Sequence, residues 1–251
     1  MAEEAPGVRA EPGRHGPTAT WVEEVARKLK LPGLAKGDDV ERLSRLLAPP
    51  LCTLPTDFTS VPEMSRIIAA HQQELRAPGI PEEWLSLRHG TQKPVREAWH
   101  AYMFAVCYAF HHGIPYDQMF VKPEADEYSF RDATLRWGTP GDFKYMNLQL
   151  KELPPAHRND KVQLEHLLKG LSKKYHKAYD LAVAIYLNRN ERFETVMTPT
   201  LEIQELWFFG FKDPGLTTIF VRGMTRAGDV TFDVPWKAAP RQVDELAIAS
   251  D

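Results

Sequence analysis

The sequence predicts an α/β fold with a mixed sheet, and three observations carry that prediction. The apolar spacing is helical as far as about residue 112 and then switches to alternation. The turn sequence GTPGD at 138–142 joins two alternating runs and marks a β-hairpin. After the hairpin come an amphipathic helical stretch and LAVAIYL at 181–187, the continuous apolar run of a strand buried on both faces. A strand, a helix and a second strand in that order make a βαβ unit, with a right-handed crossover and parallel strands.

The elements follow along the chain. Residues 1–20 are acidic, rich in Pro and Gly and lack an apolar core, so they read as a disordered leader rather than a signal peptide. Helices are predicted over 21–31, stopped by Pro32-Gly33, and over 38–47, stopped by Pro49-Pro50. A Pro- and Thr-rich loop over 52–60 precedes a helix over 61–76, with Ser60 as N-cap and Pro62 in the first turn. A connector over 77–91 holds a short helical turn at 81–87. A long apolar helix covers 94–112 and is closed by Gly113 and Pro115. Strands are expected over 116–122, 128–137 and 143–153, then a helix over 160–179 with Leu164, Leu167, Leu168, Leu171 and Tyr175 as its apolar stripe. Further strands are expected over 181–187, 202–211, 216–222 and 230–234. These divide the chain into the leader, a helical N-terminal region at 21–92, an α/β domain at 93–240 and a tail at 241–251.

Composition excludes more than it selects. The chain has 251 residues, 43% hydrophobic and 26% charged, which sets it apart from disordered chains and gives it material for a sizeable core. A formal net charge of -3 offers nucleic acid no global attraction, so any such binding must use a local basic patch. Two cysteines, Cys52 and Cys107, make no disulfide framework and suit a reducing, cytoplasmic setting. No run of about 18 apolar residues is present, so no membrane span is expected. No phosphate loop, GxGxxG or GxSxG motif occurs.

The chemistry concentrates in the hairpin. In FKYMNLQLKEL, Met146, Leu148 and Leu150 share one face, and Tyr145, Asn147, Gln149 and Lys151 share the other. A row of amides ending in a lysine is an unusual use of a strand flanked by core residues. Asp132 on the preceding strand, or Asp142 at this strand's own start, supplies a carboxylate. A carboxylate, an amide oxygen and an ammonium together suit a divalent cation and a phosphate oxygen, the chemistry of metal-dependent phosphodiester cleavage. The plainer alternative is a solvent-facing Gln and Lys, with Asp132 as a turn or salt-bridge residue and Asp142 as a turn residue. The 160–179 helix adds Lys169, Lys173, Lys174 and Lys177, either a phosphate-tracking face or a solvated face whose lysines complement the helix dipole. Cys107 and His111 have metal-ligand spacing, but their flanks read as core. Trp207, Phe208, Phe209 and Phe211 read as core or interface ahead of base stacking.

The order helix, three strands, helix, strand, with Asp132 on the second strand and Gln149-x-Lys151 on the third, resembles the PD-(D/E)XK (restriction-endonuclease-like) nuclease superfamily in its Gln-x-Lys, Mrr-like variant. The resemblance spans roughly residues 94–188. It implies an αβββαβ core flanked by helices, with a helical N-terminal region and extra C-terminal strands. It also implies Mg²⁺ or Mn²⁺ held by Asp132 and Glu97 with Gln149, and Lys151 orienting the attacking water and stabilising charge. The implied activity is endonucleolytic cleavage of DNA ahead of RNA, in restriction, phage defence or DNA processing. Symmetry suggests a homodimer, since cutting both strands calls for two active sites. Arg131 stands where the family places Pro, and Gln149 stands where most members place an acid. That second departure keeps a different function open: an inactive nuclease-like fold that binds nucleic acid or protein. A third expectation is an unrelated scaffold whose helices bind a protein partner. Glu97 also has a plain reading, an exposed first-turn acid favoured by the helix dipole.

Overall fold

A computed structural model describes residues 54–75, 92–124, 129–155, 159, 161–175, 177–188, 202–213 and 215–236. The expected leader, the helices at 21–31 and 38–47, the turn at 81–87 and the tail lie outside the described residues. The described chain is α/β, with three α-helices and one open, mixed sheet of eight strands. The elements are β1 (Thr59–Ser60), α1 (Val61–Leu75), α2 (Lys93–His112), β2 (Met119–Pro123), β3 (Ala133–Thr139), β4 (Asp142–Leu153), α3 (Leu164–Lys174), β5 (Ala178–Leu187), β6 (Ile203–Phe211), β7 (Thr218–Thr225) and β8 (Gly228–Pro235). Strands lie side by side in chain order. The pairs β4–β5 and β5–β6 are parallel, and every other neighbouring pair is antiparallel. No helix among the described residues is long and apolar enough to cross a membrane.

Two apolar layers hold the sheet. Ala182, Ala184, Trp207 and Phe209 face α1 and α2, while Leu181, Val183, Ile185, Leu206 and Phe208 face α3. This period-2 division makes β5 and β6 apolar on both sides, as LAVAIYL requires. Helix α2 packs against both α1 and the sheet, so it is buried nearly all round through Ala101–Ala109. Each of Met103, Phe104 and Val106, fully buried there, contributes about 1.5–3 kcal/mol. Gly113 ends α2 in a left-handed conformation (φ 63°), and Ile114 N–H closes back on Ala109 O at 2.9 Å. At the start of α1, the Glu63 N–H donates to Ser60 Oγ at 3.4 Å, the cap expected of that serine. Val61, Met64 and Ile68 of α1 belong to the same apolar layer as α2.

Several boundaries differ from expectation. Residues Tyr116–Gln118 form a 3₁₀ turn, closed by Gln118 N–H to Pro115 O at 2.9 Å, before β2 begins. Helix α3 is shorter than 160–179, because the chain turns at Lys177, which has a positive φ of 59°, and Tyr179 already belongs to β5. The Thr59–Ser60 pair adds a short edge strand where a loop was expected. The β3–β4 hairpin closes through Pro140-Gly141 between the paired residues Thr139 and Asp142. Pro at the first loop position and Gly141 with φ 95° at the second meet the needs of a type II turn.

Candidate active site

Asp132 precedes β3 by one residue. Its N–H donates to Leu148 O at 2.8 Å, and its carbonyl accepts from Glu124 N–H at 2.9 Å, so it extends both neighbouring ladders. Continuing the register one step past Ala133↔Leu148 sets Asp132 opposite Gln149. Here the side chain takes over from the ladder. Asp132 Oδ2 accepts from the Leu150 N–H at 2.7 Å and from the Gln149 amide nitrogen. The amide oxygen of Gln149 in turn accepts from the Tyr175 hydroxyl at the end of α3. Both Gln149 (3% exposed) and Tyr175 (5% exposed) are buried, so this chain of bonds is shielded from water.

The resemblance gives Gln149 an amide oxygen to offer a cation; in the structure that oxygen faces Tyr175, and Gln149 holds the Asp132 carboxylate through its nitrogen. Replacing Tyr175 with Phe leaves the buried Gln149 oxygen without its donor. That should lower the unfolding free energy by about 1–3 kcal/mol, read by equilibrium urea unfolding. Unchanged stability would mean that the hydroxyl is not needed to hold the amide.

Lys151 lies two residues beyond Gln149, and its Nζ donates to Leu150 O at 3.0 Å. Burial lowers the Lys151 ammonium from its ordinary value; Asp132 and Glu97 oppose the shift, and Lys174 and Lys93 add to it. Glu97 is half-buried on α2, with Lys93 Nζ 3.7 Å from its carboxylate. Burial, then the charge of Asp132, raises the Glu97 carboxyl, against the pull of Lys93, Arg96 and Lys151. Glu97 is therefore not the freely exposed helix-start acid of the plain reading. Arg96 Nε sits 3.9 Å from Glu152, the residue after Lys151. The start of α2, the end of β4 and the bend at Asp132 thus converge on one charged neighbourhood.

The other expected residues lie elsewhere. Asp142 is exposed at the hairpin turn, seven positions before Gln149 on β4, which at strand rise is about 23 Å away. Lys169, Lys173 and Lys174 are exposed on α3, whereas Lys177 lies off the helix in the turn that follows it. Of these, Lys174 stands nearest the site, 5.0 Å from the Tyr175 ring centroid and acting on Lys151. Cys107 is wholly buried, which raises its thiol, and His111 stacks on Phe232 at 4.5 Å, so the pair does not form a metal site. Trp207, Phe208 and Phe209 are core residues.

Sequence reasoning missed Tyr175, which passed as the last residue of an apolar stripe. Its signal was the hydroxyl: a tyrosine closing a leucine stripe carries a polar tip that needs a partner. It also missed Lys93 and Arg96, the two cations flanking Glu97. Among the described residues no group of three or more His, Cys, Asp or Glu stands ready to hold a metal; the two carboxylates that act on Lys151 are Asp132 and Glu97. Comparison of this chain with protein-family models, with curated proteins and with solved structures finds no match.

Proposed function

We propose that this chain is a divalent-metal-dependent nuclease acting on DNA, with a restriction-endonuclease-like αβββαβ core over α2, β2–β4, α3 and β5. The observation that carries the reading is the pairing of Asp132 with Gln149 at the point where β3 bends away, with Lys151 on the same strand and Glu97 acting across from α2. The donor set fits Mg²⁺ or Mn²⁺, because magnesium is commonly held through one or two carboxylates plus waters and substrate phosphates. Asp132 and Glu97 would hold it. Among the described residues the carboxylate of Asp132 is bonded only through Oδ2, so Oδ1 keeps its lone pairs. When bound, a divalent cation supplies Lewis acidity toward the phosphoryl oxygen and lowers the pKa of a water.

The protein's own groups do the rest. Gln149 and the Leu150 N–H fix the orientation of the Asp132 carboxylate. Tyr175 fixes Gln149. Lys151 presents a partly desolvated ammonium where charge develops on the scissile phosphate, and a preorganised cation there is worth more than one in water. The βαβ step from β4 through α3 to β5 brings the Lys173–Lys174 turn to the same end of the sheet.

The test uses binding rather than turnover. Mg²⁺ or Mn²⁺ at about 100 times its dissociation constant should stabilise the wild type by about 2.7 kcal/mol in thermal unfolding, and Asp132→Asn should abolish that gain. A metal effect that survives Asp132→Asn would place the cation elsewhere. A second reading, an inactive fold that binds nucleic acid or protein, draws on the engaged Gln149 oxygen; it expects no metal-dependent stabilisation at all.

A further inference from the structure

The second face of β2–β4 carries an ordered pattern that the proposed chemistry does not use. Met119, Val121, Ala133, Leu135, Met146 and Leu148 point toward α1 and α2. Their alternates, Phe120, Lys122, Thr134, Arg136, Tyr145 and Asn147, point the other way. Helix α3 does not cover them, because its apolar contacts fall on β5, β6 and Leu153 at the end of β4. The register stacks these alternates in rows. Phe120, Arg136 and Tyr145 form one row; Lys122, Thr134 and Asn147 form the next; Asp132 and Gln149 follow. Tyr145 is therefore four residues from Gln149 on the same face of the same strand, about 13 Å at strand rise.

The first row is built around a fixed cation. The Arg136 guanidinium lies 4.3, 4.6 and 4.5 Å from the ring centroids of Phe58, Phe120 and Phe143. Three rings clamp it, and its Nε is buried with no hydrogen-bond partner. Lys122 Nζ lies 5.9 Å from the Phe58 ring. Neither Lys122 nor Arg136 has a carboxylate partner among the described residues. Beside them Tyr145 is 56% exposed, a large ring with an open face. Arg131 is already engaged by Glu124 and Asn147, and Asn147 also by Asp180.

Two cations with no carboxylate partner among the described residues, beside an exposed ring, match a chain that alternates phosphates with unpaired bases. A duplex hides its base faces, so Tyr145 would have nothing in it to stack on. Thr134 and the Tyr145 hydroxyl lie on this face and suit either sugar, so DNA over RNA is taken from the nuclease reading. We infer that this partly exposed face of β2–β4 docks single-stranded DNA and leads it to the Asp132–Lys151 site, with Tyr145 stacking a base and Lys122 and Arg136 meeting phosphates. The inference rests on the nuclease reading for its direction and for DNA over RNA, not for the binding of a single strand.

The test is fluorescence anisotropy of full-length protein with labelled (dT)20, a duplex of equal length and (rU)20, all in EDTA. The wild type should bind (dT)20 tightest. Tyr145→Ala should weaken (dT)20 about tenfold with the salt dependence unchanged, and Tyr145→Trp should retain binding. Lys122→Gln should instead lower the slope of log K against log salt by about 0.7, one phosphate contact on a single strand. Both side chains reach solvent, and a melting curve checks each fold. Tighter binding of the duplex or of (rU)20, or (dT)20 binding that neither substitution changes, would overturn the inference. Because EDTA removes cleavage from the readout, the two readings fail separately. Tyr145-dependent binding with no cleavage under any condition would keep this surface and remove the nuclease. Metal-dependent duplex cutting, with (dT)20 binding indifferent to both substitutions, would do the reverse.

Discussion

Lys151→Met is expected to stabilise the metal-free protein while removing the cleavage proposed for it. The ammonium is partly buried, and burial lowers its proton affinity below the ordinary lysine value in spite of Asp132 and Glu97 nearby. A methionine of similar length keeps the packing and removes the buried charge. Relief of this kind at a functional residue is worth about 0.5–2 kcal/mol, readable by urea unfolding. The sign with pH follows from the direction of the shift. The folded-state value lies below the unfolded one, so the folded protein binds this proton less well, and the ammonium costs stability at every pH below the folded value. The cost fades as pH rises through that value toward the unfolded one. The stability gap between Lys151→Met and the wild type should therefore be full near neutrality and narrow on the alkaline side. Under the proposed function, cleavage by the same protein should fall by about 10²–10³-fold, the usual loss when one preorganised charge-stabilising group is removed. Lower stability in the mutant would show that Lys151 is held by its carboxylate neighbours as a structural ion, contrary to the role given it here.

Trp207→Ala should be among the most damaging single changes to the described fold. Trp207 is 1% exposed on β6, and its ring meets Phe104 at 5.7 Å, Tyr108 at 5.8 Å and His111 at 6.2 Å between centroids. Its indole N–H donates to Glu205 Oε2 at 2.7 Å. Across the sheet the ring lies over Gly223, where a Cβ would come within 2.3 Å of Trp207 Cζ3. A hole of this size, walled by the α2 helix and a paired strand, cannot collapse easily, and truncation should cost about 3–5 kcal/mol. Against a typical total of about 5–15 kcal/mol, that is a large share of the protein's stability. A loss below about 1 kcal/mol in urea unfolding would mean that β6 and α2 do not pack as described.

What the sequence revealed depended on range. The alternation of Met146, Leu148 and Leu150 is local, and it placed Gln149 and Lys151 on the face away from α2 without a structure. The Pro140-Gly141 turn is local too. Register depends on where β3 bends, and nothing in RDATL announces that the strand begins one residue after Asp132. The end of α3 was overextended because Lys173, Lys174 and their neighbours are good helix formers, while Lys177 turns the chain without a glycine or proline to mark it. The Tyr175–Gln149 bond joins residues 26 apart, and such a contact has no periodic signature. The same holds for the charge of Asp132 acting on Glu97, which comes about only because α2 packs across the sheet. Residue types and faces were legible; the bonds that assign Gln149 its partner were not.

The most direct test of the nuclease reading is cleavage of supercoiled plasmid, linear duplex and single-stranded DNA by purified protein with Mg²⁺, Mn²⁺ or EDTA, beside Asp132→Asn. Metal-dependent cutting by the wild type that disappears both in EDTA and in Asp132→Asn is the predicted result. Cutting that persists in Asp132→Asn, or no cutting of any of the three substrates with either metal, would contradict it.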